Sequence, residues 1–261
     1  QNGYSQFGER QGSSSTDTWD ATIGVMAHEL GHAYFLLPDL YDTRLSPTNA
    51  GIGAFGLMGG GAWGKKSSSE KWGATPVHLS AWSKENISAC TPQSVSSGTD
   101  NYTLAAVYQS STHATSCGIY KASTSTNGEY FLVENRSTGG YDQGFNYLLL
   151  NGSESEFVKS SYSGGVAIWH VKDILSSCST LTTNNCEAQS PKLVDLEEAN
   201  DADLDIASSS GRTTHLFYSG NSATFDNSST PDSKLYDNSS SGISVTSISA
   251  AGDSMTLTIS K

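Results

Sequence analysis

The sequence predicts an α+β chain in two portions: a helical, metal-carrying portion over residues 1–95, followed by a β-rich, sandwich-like portion over 96–261 packed on it. Two observations predict this. Apolar residues recur at helical spacing only near the start, with Ile23, Ala27, Leu30 and Tyr34 on one stripe. Beyond Cys90 the pattern switches to short runs of period two between Ser, Gly, Asn and Asp clusters. The length, 261 residues, suits one large domain or two small ones.

In chain order, Asp20 offers an N-cap to a helix from Ala21 to about Leu36, which Pro38 and Asp39 stop. A glycine-rich stretch runs from Gly51 to Gly64. Thr75-Pro76 then supplies a cap and a first-turn proline to a second helix through Trp82 and Lys84. Strands are expected at Tyr130–Glu134, Val166–Val171, Ile243–Ile248 and Met255–Ile259. The last two flank AAGDS and form a terminal hairpin. No regular internal repeat is present.

Composition excludes several functions. The net charge of −12 argues against a nucleic-acid binder, which needs a basic stripe to displace counterions from phosphate. No apolar run approaches 18 residues, so no membrane span is expected. Charged residues make up only 15%, against a typical quarter, so Ser, Thr, Asn and Gly finish the surface. Five Trp, 12 Tyr and eight Phe supply ample area to bury. Cys178 and Cys186 flank a short polar loop and are expected to pair, leaving Cys90 with Cys117. Two disulfides imply an oxidising, extracellular setting, and the opening QNGYSQFGER implies a mature or trimmed secreted form.

The chemistry concentrates in HELGH. A spacing of four puts the His28 and His32 imidazoles on one helix face, able to reach a single ion. Glu29 between them can hold a water at that ion and take its proton. From this chain's own composition the motif is expected by chance only about 0.006 times. Imidazole and carboxylate donors suit zinc, and a catalytic zinc keeps three protein ligands and a water. Asp39, where Pro38 turns the chain back, is the preferred third ligand, with Asp42 and Glu134 as rivals.

HELGHAYFLLPDLYDT resembles the active-site segment of the immune inhibitor A family of secreted, metzincin-like zinc metallopeptidases. FGLMGGGAW around Met58 is similar to the family's methionine turn, and TPVHLSAWSK, YFLVENR, GGVAIWHV and VDLEEAND to its later segments. The resemblance implies zinc on His28, His32 and Asp39, Glu29 as general base, and Met58 beneath the metal without binding it. It implies that residues 1–95 are the C-terminal part of the catalytic domain. The expected activity is secreted zinc endopeptidase cleavage of protein or peptide substrates.

Two departures from the metzincin pattern carry expectations of their own. Phe35 and Leu36 stand in the glycine region and Asp39 falls one residue late, so bulkier residues must make the tight turn. Only 27 residues precede His28, where such domains place a sheet whose edge pairs with substrate. The expectation that follows is a processed fragment, one piece of a nicked enzyme whose second chain supplies the missing half, or an incompletely defined sequence. The competing function is a non-catalytic binding or structural module with an inherited metal site.

Other segments are weighed against plainer readings. Gly59 to Lys65 has the separation of a phosphate loop, but Lys66 stands where Ser or Thr should be and no strand precedes it. Asp195, Glu197, Glu198, Asp201, Asp203 and Asp205 crowd six carboxylates into the 12 positions from Val194 to Asp205, which calcium would relieve; a solvated acidic loop is the alternative. His170 reads as a packed strand histidine. His78 follows Pro76 with no constellation, as do His113 and His215. Trp63, Trp72 and Trp82 are expected to pack, with a cleft wall as the alternative.

Overall fold

The computed structural model describes residues 7–14, 17–109, 117–126, 128–152, 156–158, 162–173, 186–188, 190–200 and 203–261. Two short strands, β1 (Arg10–Ser14) and β2 (Asp17–Asp20), form an antiparallel hairpin ahead of helix α1 (Ile23–Phe35). The helix starts two residues later than the Asp20 cap predicts. Asp20 is drawn into the hairpin and paired with Arg10, and Thr22 takes the capping position without a side-chain cap bond. Gly24 brings α1 against the glycine-rich stretch, where a Cβ would stand 1.9 Å from the Ala62 carbonyl oxygen.

The predicted second helix is shorter than expected. Residues 75–78 run extended against the glycine-rich stretch, with Thr75 N–H donating to Gly64 O, Val77 N–H to Gly61 O and Leu57 N–H to His78 O. Helix α2 (Ala81–Asn86) begins only after Ser80, whose hydroxyl accepts from the Ser83 N–H. The cap is therefore Ser80 rather than Thr75, because the glycine-rich backbone captures residues 75–78 first.

The remaining chain builds two sheets. One joins β3 (Gln93–Ser94), β5 (Ile119–Ser123), β6 (Glu129–Asn135), β7 (Val166–Lys172) and β8 (Val194–Leu196) in the order β3-β5-β6-β7-β8. The other joins β4 (Thr99–Ala105), β10 (Ser254–Ser260) and β9 (Ser244–Thr246) in the order β4-β10-β9. The predicted terminal hairpin is the antiparallel β9–β10 pair, with Thr246 opposite Thr258.

The five-stranded sheet is covered on both faces, which is why β6 is buried at every position and β7 at all but its last. Phe131, Val133, Val166 and Ile168 face the three-stranded sheet and pack with Leu104, Val245, Met255 and Leu257. Tyr130, Leu132, Ala167 and Trp169 face the other way and share a core with Leu37, Leu40, Phe55, Met58 and Trp82. The architecture is mixed helix and sheet, as the α+β prediction has it. Cys90 is bonded to Cys117, tying α2's end to the start of β5. Cys178, in the second predicted pair, lies outside the described residues. Among the described residues no helix is long and apolar enough to cross a membrane.

Candidate metal centre

His28 and His32 occupy successive turns of α1, and the chain must reverse at once to bring a third donor back to them. Leu36 makes that reversal in the left-handed region at φ 58°, a conformation costing about 1–2 kcal/mol in a residue with a Cβ. The bulky residue thus makes the turn where the related pattern has glycine. Leu36 N–H donates to His32 O (3.1 Å) and Leu37 N–H to Gly31 O (3.1 Å), closing the helix end. Leu37 and Leu40, both fully buried, anchor the returning chain, and Asp39 between them points to the imidazoles.

The ring orientations are set by two backbone carbonyls. His28 Nδ1 donates to Leu57 O (2.8 Å) and His32 Nδ1 to Leu37 O (2.6 Å). A carbonyl only accepts, so both rings carry their proton on Nδ1 and present Nε2 to the site. His28 Nε2 lies 3.0 Å from His32 Nε2 and 3.0 Å from Asp39 Oδ1, and His32 Nε2 lies 3.2 Å from the same oxygen. Ligands of a tetrahedral zinc, at about 2.0–2.1 Å, stand about 3.3 Å from one another. The three donors therefore fit such an ion in kind and in spacing. Among the described residues they are the one group of three His, Cys, Asp or Glu side chains so gathered.

The local electrostatics favour positive charge at this point. Burial works to lower the His32 pKa, but its bonds to Asp39 and Leu37 outweigh burial and hold it above the ordinary histidine value. Burial first, then the charge of Asp39, raises the Tyr41 pKa. Met58 is buried directly under the helix: a Cβ on Gly31 would stand 2.6 Å from its Sδ. Met58 O also accepts from Leu40 N–H (2.8 Å), so residues 57 and 58 steady both the His28 ring and the Asp39 turn.

His28 and Glu29 line a cavity of about 460 Å³ together with Tyr41, Trp63 and the segment carrying Ala207, Ser209 and Ser210. The far wall thus comes from the β-rich portion. The rival ligands are engaged elsewhere. Asp42 accepts from Arg44 and Thr48, which hold its carboxyl well below the usual range against the opposing pull of burial. Glu134 is fully buried and bonded to Lys84 Nζ (2.9 Å), Trp169 Nε1 (3.0 Å) and Arg136 Nη1 (3.3 Å). Arg136 also makes two bonds to Asp142 (2.7 and 2.8 Å) and one to Phe55 O (2.6 Å), locking the sheet to the floor of the metal centre.

The acidic stretch does not gather. Lys192 Nζ bridges Asp195 and Asp205 at 2.8 Å each, Arg212 pairs with Asp203, His170 Nδ1 faces Glu197 (3.1 Å), and Glu198 accepts from Leu204 N–H (2.9 Å). Asp201 lies outside the described residues, as does His113. The stretch is neither a closed cation cage among the described residues nor a wholly solvated loop, since Glu198 is buried.

His170 is a buried strand histidine held by Glu129 and Glu197. His215 is buried and pushed down to about 4 by that burial. His78 lines a separate, apolar cavity with Tyr141. Of the tryptophans, Trp63 faces the cavity beside Glu29, Trp72 lies under Lys65 Nζ at 4.3 Å, and Trp82 packs in the core with Nε1 donating to Asp173 (2.9 Å).

Sequence reasoning missed Tyr41 and the carbonyls of Leu37 and Leu57. Tyr41 was signalled by its place two residues after Asp39; the carbonyls have no sequence signal, since every residue carries one.

No curated protein matches this chain. Residues 12–90, which span α1, the Asp39 turn and Met58, match the family model for the immune inhibitor A peptidase M6 catalytic domain, so this segment is similar to the immune inhibitor A peptidases.

Proposed function

We propose that this peptidase is a secreted, zinc-dependent endopeptidase. The observation that carries the reading is the convergence of His28 Nε2, His32 Nε2 and Asp39 Oδ1 within 3.2 Å of one another, beside Glu29. These three side chains hold the ion, and zinc suits two imidazoles and a carboxylate. When bound, zinc supplies Lewis acidity that lowers the pKa of water towards neutrality and polarises the scissile carbonyl.

The chain's own residues do the rest. Glu29 accepts the proton of the attacking water and delivers it to the leaving amine. Met58 forms the floor and sets the helix height. The extended substrate crosses the cavity between α1 and residues 207–210, where Gly59, Gly60 and Ala62 leave room for it. Residues 1–95 then act as the C-terminal part of the catalytic domain, and 96–261 as the β-rich domain packed on it. The Cys90–Cys117 disulfide supports an oxidising compartment and hence secretion.

Casein cleavage by the purified chain, with and without a zinc chelator, tests the reading. Cleavage is expected, is abolished by chelation and returns with added zinc. Glu29→Gln keeps bound zinc but loses about 10²–10⁴-fold in turnover. Full residual cleavage in that variant, or chelation that melts the fold of a chain that never cleaves, refutes it and favours a structural ion.

A further inference from the structure

We propose that Trp63 is a specificity-determining residue: its half-exposed ring walls the cavity beside Glu29 and selects substrates with a large apolar side chain next to the scissile bond. The proposal rests on the endopeptidase reading above and names its substrate class. Trp63 closes the 3₁₀ turn Gly60–Trp63 and keeps 44% of its surface exposed. Among the described residues its ring pairs with no aromatic ring and no cation, whereas Trp72 meets Phe157 and Lys65, and Trp82 packs in the core. A tryptophan left open on a cavity wall is surface for a ligand to cover, and an apolar group gains most from covering it.

The backbone holds that ring in a fixed relation to the helix that carries Glu29. Ala62, the preceding residue, is buried, and its carbonyl oxygen lies so near Gly24 of α1 that a Cβ there would stand 1.9 Å away. On either side of Trp63, Gly61 O accepts from Val77 N–H (3.0 Å) and Gly64 O from Thr75 N–H (3.0 Å). The far wall, Ala207, Ser209 and Ser210, is small and uncharged, and Ser210 O accepts from Ala54 N–H (2.8 Å). At about 460 Å³ the cavity has room for a large side chain beside the peptide. Charge narrows the choice. None of the lining residues is Lys or Arg, so an acidic side chain would meet Glu29 with no cation to pair it. The Asp42 carboxylate is taken by Arg44 and Thr48, so a basic side chain could pair only with Glu29, the group the reaction needs. A large neutral apolar side chain is what remains, and its burial against Trp63 supplies the favourable term.

Cleavage sites mapped by mass spectrometry on digested casein give the template for quenched peptides that carry Leu, Phe, Ala or Asp beside the scissile bond. The readout is the ratio of kcat/KM between peptides, in which any inactive fraction of a preparation cancels. The unmodified chain should cleave the Leu and Phe peptides at least about 10-fold better than the Ala peptide, and the Asp peptide least of all. Trp63→Ala should shrink the Leu-to-Ala and Phe-to-Ala ratios by about 10-fold. Zinc affinity by chelator competition should stay unchanged in that variant. Gly60 lines the same cavity, and a Cβ there meets nothing closer than 3.5 Å, so Gly60→Val narrows the space and should cut cleavage of the Phe peptide most. Ratios that Trp63→Ala leaves unchanged, or an unmodified chain that cleaves all four peptides alike, overturn the proposal and leave the peptidase reading standing. A loss of zinc binding in Trp63→Ala also overturns it, because the ring would then serve the metal centre. A chain that binds zinc and cleaves no casein defeats the peptidase reading itself, and this proposal with it. Should Trp63→Ala fold poorly, Gly60→Val decides alone: an unchanged Phe-to-Ala ratio there overturns the proposal.

Discussion

Removing Asp39 gives the sharpest test of the metal centre, because the effect can be separated from folding. The relevant quantity is the zinc-dependent increment in Tm, measured in each protein against its own chelated form. A ligand that binds only the folded state stabilises by RT ln(1 + [L]/Kd), about 4.1 kcal/mol at a free concentration of 1,000 Kd. For a chain of this size about 1 kcal/mol moves Tm by about 2–4 °C, so the unmodified protein should gain about 8–16 °C. Asp39 supplies the one charged donor and the oxygen 3.0 and 3.2 Å from the two Nε2 atoms. Asp39→Ala leaves two neutral imidazoles. If affinity falls about 100-fold, the same free zinc stands at about 10 Kd and the gain shrinks to about 1.4 kcal/mol, or about 3–6 °C. Differential scanning calorimetry at fixed free zinc measures both increments. Glu29→Gln should keep the full increment. Equal increments in the unmodified chain and Asp39→Ala would show that Asp39 is not a ligand. The same measurement on Asp42→Ala should then be run, with no loss expected because Asp42 is committed to Arg44 and Thr48.

Three further outcomes follow from the buried groups around the site. Arg136→Met strands Asp142 and the Phe55 carbonyl in a dry interior, and breaking such a pair costs about 3–5 kcal/mol, readable as a lower urea midpoint with unchanged m. Burial, then the charge of Asp195, pushes the Glu187 carboxyl up to about 8, so the folded chain keeps a proton that the unfolded chain gives up near 4.5. That contribution to stability is full below pH 4.5 and is lost as pH rises through 8; Glu187→Gln should therefore gain on the unmodified chain by on the order of 3 kcal/mol between pH 5 and pH 8 in urea unfolding. Gly24→Ala places a methyl 1.9 Å from a backbone oxygen that has no side chain to move aside, and a loss of about 1–3 kcal/mol in thermal unfolding is expected.

Which parts of this were legible depends on what holds them. The HELGH helix and the Asp39 turn were readable because periodicity and side-chain chemistry agree there, and the late position of Asp39 correctly required a bulky residue in a turn, which is Leu36. The strands β6, β7 and β10 were readable from period-two runs, each observed strand overrunning the predicted one by a residue or two. The failures share one cause: a distant partner outbid a local signal. Asp20 is a good cap in isolation, but pairing with Arg10 claims it for a hairpin. Thr75-Pro76 would open a helix, but Gly61 and Gly64 offer their carbonyls to residues 75 and 77 first. In the acidic stretch, Lys192, Arg212 and His170 engage Asp195, Asp203 and Glu197, pairings that the run of carboxylates alone does not signal.

The same logic explains why the metal centre depends on the β-rich portion even though its ligands lie within 12 residues. The imidazoles are oriented by carbonyls, and a carbonyl is only as fixed as its backbone. Leu57 O is placed by the segment beneath α1, and Leu57 itself is pinned through its N–H to His78 O. His78 N–H donates to Asp142, which is held twice by Arg136 at the end of β6. Arg136 returns to the same floor through Phe55 O. The chain of contacts runs from strand to buried ion pair to glycine-rich floor to imidazole, with every link either fully buried or backbone. Changes at Arg136 or Asp142 are therefore expected to act on the three candidate donors through the position of Leu57 O, and a drop in zinc affinity on Arg136→Met, measured well below its unfolding temperature, distinguishes this coupling from a simple loss of fold.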